Sequence, residues 1–153
     1  MFVTRRYLAI FFLFIPAIAF AQNAAEMDAL LEAETVSAAV LARFVLGSAD
    51  LLDPLLSGPE AEKAAYDMAA ANGWIKTPSD ESVTLKNAAF IIMQAFGMKG
   101  GIMYSLFNNP RYAYREMVYK KIITGHSDQN MKVTGQRFLQ ILEKAVSYAE
   151  GNI

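Results

Sequence analysis

The chain has 153 residues, 54% of them apolar, with 14 basic and 15 acidic side chains and a formal charge of −1. Without cysteine it can hold no disulfide framework, thiolate metal site or cysteine nucleophile. A single histidine excludes sites built on two imidazoles and argues against a histidine-dependent triad, and the near-zero charge gives no reason to expect nucleic acid.

Residues 1–6 carry Arg5 and Arg6, residues 7–21 carry no charge, and the stretch ends Ala19-Phe20-Ala21. A basic start, a short apolar run and small residues at the −3 and −1 positions predict a secretory signal peptide over 1–21. The run includes Pro16 and falls short of the roughly 20 residues that a spanning helix needs. Export with cleavage is therefore expected, into a periplasmic or cell-envelope location, with retention as an anchor the alternative. The remaining 132 residues suffice for a core. Their charge is uneven: residues 22–82 hold three basic and 11 acidic side chains, residues 83–153 nine and four. Attraction between two halves of one domain accounts for this. The functional alternative is a basic surface for an anionic polymer.

The mature stretch 22–153 repeats with a period near 50. Val36-Ser37, Val83-Thr84 and Val133-Thr134 are each followed, at +5, +8 and +9 from the valine, by apolar residues: Leu41, Phe44 and Val45; Ala88, Ile91 and Ile92; Phe138, Ile141 and Leu142. That spacing marks one buried helical face. The hydroxyl residue suits a helix N-cap, and Gly47 and Gly97 suit the stops. Paired apolar steps follow, Leu51-Leu52 and Leu55-Leu56, then Ile102-Met103 and Leu106-Phe107, predicting short helical turns at 51–56 and 102–107. Pro59 and Pro110 then open further helices, which carry Ala65-Tyr66 and Ala113-Tyr114 and end near Asn72-Gly73 and Thr124-Gly125. The expected architecture is all-α, six main helices in helix-loop-helix units over about 22–47, 59–97 and 110–149, the first one truncated. Units of this size bury their apolar faces only by packing together.

This pattern resembles the S-layer homology family. The closest stretch is Tyr112-Ala113-Tyr114, Ile122-Ile123-Thr124-Gly125-His126-Ser127-Asp128, Val133-Thr134 and Phe138-Leu139-Gln140-Ile141-Leu142, and the second unit follows with Ala65-Tyr66, Gly73-Trp74-Ile75, Asp80 and Val83-Thr84. The resemblance implies three two-helix units in a pseudo-threefold bundle whose grooves hold cell-wall polysaccharide. The family's Thr-Arg-Ala-Glu signature reads Ser37-Ala38-Ala39-Val40, Thr84-Leu85-Lys86-Asn87 and Thr134-Gly135-Gln136-Arg137 here, so only the hydroxyl residue is retained.

No other motif is complete. Asp128-Gln129-Asn130 lacks the remaining ligands of a calcium loop, and Gly97-Met98-Lys99-Gly100-Gly101 lacks the Lys-Ser/Thr of a phosphate loop. Acidic pairs such as Glu60/Glu62 and Asp80/Glu81 suit helix starts better than glycoside hydrolysis. His126 has no partner for catalysis. Tyr104, Phe107, Arg111, Tyr112, Tyr114, Arg115 and Tyr119 form an aromatic and cationic cluster that can stack on sugars or hold anions; alternatively Phe107, Tyr112 and Tyr119 partly line the joint between units two and three. Trp74 reads as a buried anchor. The expected function is a non-enzymatic envelope module, without cofactor or metal, that binds a cell-wall polymer or an envelope protein. Its groove lies beside the starts of the second helices, with Lys86, Arg111, Tyr112, Arg115, Lys132 and Arg137 as ligand-binding residues. The rival expectation is a protein-interaction or assembly module, self-association included, whose truncated first unit leaves an apolar face open.

Overall fold

The computed structural model describes residues 24–125 and 127–152; the export signal expected at 1–21 and His126 lie outside the described residues. Among the described residues the chain is all-α, with seven helices and no strand. They are α1 (24–32), α2 (Ala38–Ser48), α3 (Gly58–Ala71), α4 (Leu85–Ala95), α5 (Ile102–Phe107), α6 (Pro110–Tyr119) and α7 (Gly135–Ala149). None of these helices is long and apolar enough to cross a membrane.

Val36, Val83 and Val133 meet at the centre. The Val36 N–H donates to the Val133 carbonyl (2.9 Å), Val133 to Val83 (3.1 Å) and Val83 to Val36 (2.9 Å), a closed ring of three backbone bonds. All three valines are buried, where each unpaired amide would cost about 1–3 kcal/mol. Two residues later the chain enters α2, α4 and α7, whose first amides have no partner within their own helix. Neighbouring loops supply those partners. Ala38 and Ala39 donate to Glu81 and Ser79 (2.9 and 3.0 Å), Leu85 and Lys86 to Met131 and Gln129 (2.9 and 3.0 Å), and Gly135 to Ala33 (2.9 Å). The hydroxyl caps expected from the sequence form at two of the three starts: Ser37 accepts from Val40 (3.5 Å) and Thr134 from Arg137 (3.2 Å). Thr84 differs, its oxygen being buried with no hydrogen-bond partner.

The faces that meet are the ones the apolar spacing marks, except that Phe44 is only half-buried, with Arg43 over its ring. α2 buries Leu41, Ala42, Val45 and Leu46, α4 buries Ala88, Ile91 and Ile92, and α7 buries Phe138, Ile141 and Leu142. Each large side chain removed from water in this way contributes about 1.5–3 kcal/mol. α3 packs on α2 and α6 on α4. Ala61, Ala65 and Ala69 give α3 a buried stripe with no side chain beyond Cβ, so the axes can approach closely. At the other edge the α1 backbone at Leu30 lies against Gly135, the first residue of α7. One core cluster runs from Leu30 to Ala145.

Several helix ends differ from the sequence expectation. Gly97 does follow α4 in the left-handed region (φ 59), with the Met98 amide returning to Met93 (2.9 Å). Gly47, expected as the stop of α2, lies inside its last turn; Asp50 takes the left-handed place (φ 56) once Leu51 can cap the buried Leu46 carbonyl (2.9 Å). α6 ends at Tyr119, with Lys121 left-handed (φ 59), well before Thr124-Gly125. Burial of Ile122 and Ile123 sets that stop, the chain leaving the helix to turn both inward. Residues 51–56 form no helix. Pro54 has no amide to donate, the Asp53 carboxylate takes the Leu55 N–H (2.9 Å), and a turn closes from Leu56 to the Asp53 carbonyl (3.1 Å). The corresponding segment at 102–107 is α5.

Candidate functional site

Loop carbonyls pair the first amides of α2, α4 and α7 directly at those helix starts, and depressions of 260 Å³ beside Ser37 and 140 Å³ beside Arg137 remain open next to them. Three of the expected cations are tied into the same seams. Lys86 Nζ donates to Asn130 Oδ1 (2.7 Å) and Lys132 Nζ to the Ser82 carbonyl (2.6 Å). The Arg137 guanidinium donates to the Thr124 carbonyl and to Ser127 Oγ (2.8 Å), and Lys144 reaches Thr124 Oγ1 (3.1 Å). These side chains fasten loops 79–82 and 124–132.

Arg111 and Arg115, one turn apart on α6, do come together. They line a shallow depression of 300 Å³ with Tyr114, Ser127, Asp128 and Gln129. Tyr112 is not part of it, since its ring stacks on Phe107 at 5.4 Å and 23°. Tyr114 braces the depression instead, its hydroxyl donating to the Ser127 carbonyl (2.7 Å). Asp128 accepts the Asn130 amide (2.9 Å), as a turn residue does. Phe107 and Tyr119, considered as joint residues, are 58% and 83% exposed. Tyr119 therefore faces outward, while Phe107 keeps one ring face against Tyr112 between α5 and α6.

A second groove, of 260 Å³, forms where the loop after α3, the side of α4 and the α5–α6 link converge. Gly73, left-handed at φ 71, turns the chain so that the Trp74 amide caps α3 at Ala69 (2.9 Å). Trp74 then stands half-buried in the groove wall with Lys76, Asn87, Phe90 and Asn108. The wall is held by hydrogen bonds: Tyr66 donates to the Thr77 carbonyl (3.0 Å), and Asn87 Nδ2 to Thr77 Oγ1 (3.4 Å). Asn108, left-handed at φ 39, is fixed by Gln94 through its Oδ1 (2.7 Å). Asn108 Nδ2, Asn87 Oδ1 and Lys76 Nζ have no hydrogen-bond partner among the described residues. An indole flanked by unpaired amide groups and one ammonium can stack on a sugar face while bonding its hydroxyls. The sequence marks only Trp74 here, because Asn87 and Asn108 reach the groove from segments remote in the chain.

A further cavity, of 430 Å³, lies between α1, α2 and the 50–56 turn. Its Arg43 is neutralised by Glu26 and lies over the Phe44 ring (5.4 Å), so its cation is already satisfied. Among the described residues no three His, Asp or Glu side chains cluster to hold a metal. Tyr104 beneath α5 has its phenol pKa raised by burial; a hydrogen bond from Gln94 opposes the shift and the nearby Glu116 charge adds to it. Comparison with protein-family models gives no match, and neither curated proteins nor solved structures match the chain.

Proposed function

We propose that this protein is a non-enzymatic cell-envelope module that binds a cell-wall glycan in the Trp74 groove. The observation that carries the reading is the shared wall of Trp74, Asn87, Asn108 and Lys76, an aromatic face beside polar groups that lack protein partners. Lys76 suits a carboxylate or phosphate on the polymer. The valine ring and the loops that cap each neighbouring helix start support an S-layer-homology-like pseudo-threefold bundle, and the leader over 1–21 supports export. In this reading glycan contact lies in the Trp74 groove rather than at the helix starts, whose first amides are paired by neighbouring loops.

Retention on purified peptidoglycan sacculi tests the proposal. The intact chain is expected to sediment with sacculi at low and moderate salt. Asn87→Ala with Asn108→Ala removes the amide partners and should weaken retention about tenfold or more, each lost hydrogen bond contributing about 0.5–1.5 kcal/mol. Lys86→Ala, in the occupied seam, should leave retention unchanged. Absence of retention at low salt, or an effect of Lys86→Ala equal to that of the asparagine pair, would overturn the reading.

A further inference from the structure

The outer face of α5 is apolar. Ile102, Met103, Leu106 and Phe107 are 78%, 53%, 70% and 58% exposed. The helix is anchored by Tyr104, whose ring covers Gly100 and whose hydroxyl accepts from Gln94 (2.8 Å). Four large apolar side chains gathered on one short helix make an interaction surface rather than scattered exposure.

Cations lie beside this face, on α6 and in the segments flanking α5. α5 lies along α6 through the Phe107–Tyr112 stack and through Gly101, which sits against the Glu116 carboxylate. The neighbouring stripe of α6, at four-residue spacing, is Arg111, Arg115 and Tyr119, all exposed. Two arginines at that spacing repel each other, and neither forms an ion pair with an acid of the described residues. Residues 97–121 also contain Lys99, Lys120 and Lys121, with Glu116 the single acid. Asp128 faces the arginines from loop 124–132, and Lys120 lies over Tyr148.

The charge selects the occupant. A second copy docked face to face here would set cations against cations. An apolar partner would leave the arginines unanswered. We infer that α5 and the Arg111–Arg115–Tyr119 stripe dock on an anionic phospholipid surface. Ile102, Met103, Leu106 and Phe107 enter the boundary between headgroups and acyl chains, while Lys99, Arg111 and Arg115 meet the phosphates. None of these side chains lines the Trp74 groove, so lipid and glycan can be held together.

Because the chain has no cysteine, Met103→Cys in the full chain carries an environment-sensitive fluorophore at one place, with Leu106→Cys as an independent reporter. Ala70→Cys, on the exposed side of α3, controls for binding through other parts of the chain. Vesicles of phosphatidylglycerol and phosphatidylcholine are expected to blue-shift the α5 labels and shield them from an aqueous quencher, without affecting the α3 label. Phosphatidylcholine alone should do neither. Arg111→Glu with Arg115→Glu should weaken the response at least about thirtyfold, and rising ionic strength should weaken it progressively. Three results would overturn the inference: α5 labels that ignore anionic vesicles, labels that respond equally to neutral ones, or a shift that grows with protein concentration without vesicles, which would mean a second copy.

Discussion

Gly135 is the point at which the truncated first unit meets the third, and substituting it tests that junction. A Cβ added there would stand 2.7 Å from the Leu30 carbonyl carbon and closer still to its oxygen. Neither is a side chain that can swing aside, so α1 must retreat from α7. Overpacking of this kind costs about 1–3 kcal/mol, and strain on the Gly135-to-Ala33 hydrogen bond (2.9 Å) adds about 1 kcal/mol. The better helix propensity of alanine returns at most about 1 kcal/mol. Gly135→Ala should therefore lose about 1–3 kcal/mol, lowering Tm by roughly 3–12 °C for a domain of this size. Gly47→Ala is the matched control: it is exposed in the last turn of α2, its φ is negative, and an added Cβ meets nothing within 4 Å. It should gain about 0.5–1 kcal/mol. Urea and thermal unfolding followed by circular dichroism measure both. A Gly135→Ala chain as stable as the parent would refute the close approach of α1 to α7.

Other substitutions probe the connections. Tyr66→Phe and Tyr114→Phe each delete a hydroxyl-to-carbonyl bond, to Thr77 and Ser127, and should each cost about 0.5–1.5 kcal/mol in urea unfolding. Tyr66→Phe should additionally weaken glycan retention, because Thr77 lies in the wall of the Trp74 groove. Asp50→Gly relieves a left-handed residue at φ 56 and should stabilise by about 0.5–1 kcal/mol, read as a higher Tm. The raised pKa of Tyr104 means that its ionised form is disfavoured in the folded state relative to the unfolded chain, where the phenol titrates near its usual value of 10.0. Its contribution is thus intact below pH 10 and is lost as pH rises through and beyond the native value. Unfolding midpoints across alkaline pH should fall less steeply in Tyr104→Phe; identical profiles would contradict the burial of that hydroxyl.

What was legible in the sequence is what local spacing controls. The apolar positions after Val36, Val83 and Val133 mark the buried faces of α2, α4 and α7, since a helix must place residues three and four apart on one side. Pro59 and Pro110 mark helix starts because a proline needs no amide partner there. The failures come from partners distant in the chain. Gly47 has the composition of a stop, yet α2 passes through it so that Leu46 can be buried and capped. Lys86, Lys132 and Arg137 read from the sequence as surface cations, and their bonds to loops 79–82 and 124–132 come from segments the local pattern does not connect. Trp74 has the profile of a core anchor until Asn87 and Asn108 arrive beside it from two other elements.

Trp74 is the single tryptophan of the chain, so its intrinsic fluorescence reports directly on the groove proposed as the glycan site. Titration with soluble peptidoglycan fragments should shift and saturate that emission, with the affinity lowered about tenfold or more in the Asn87→Ala, Asn108→Ala chain and unchanged in Lys86→Ala. Emission that stays constant while the protein is retained on sacculi would put the glycan elsewhere and contradict the assignment of this groove.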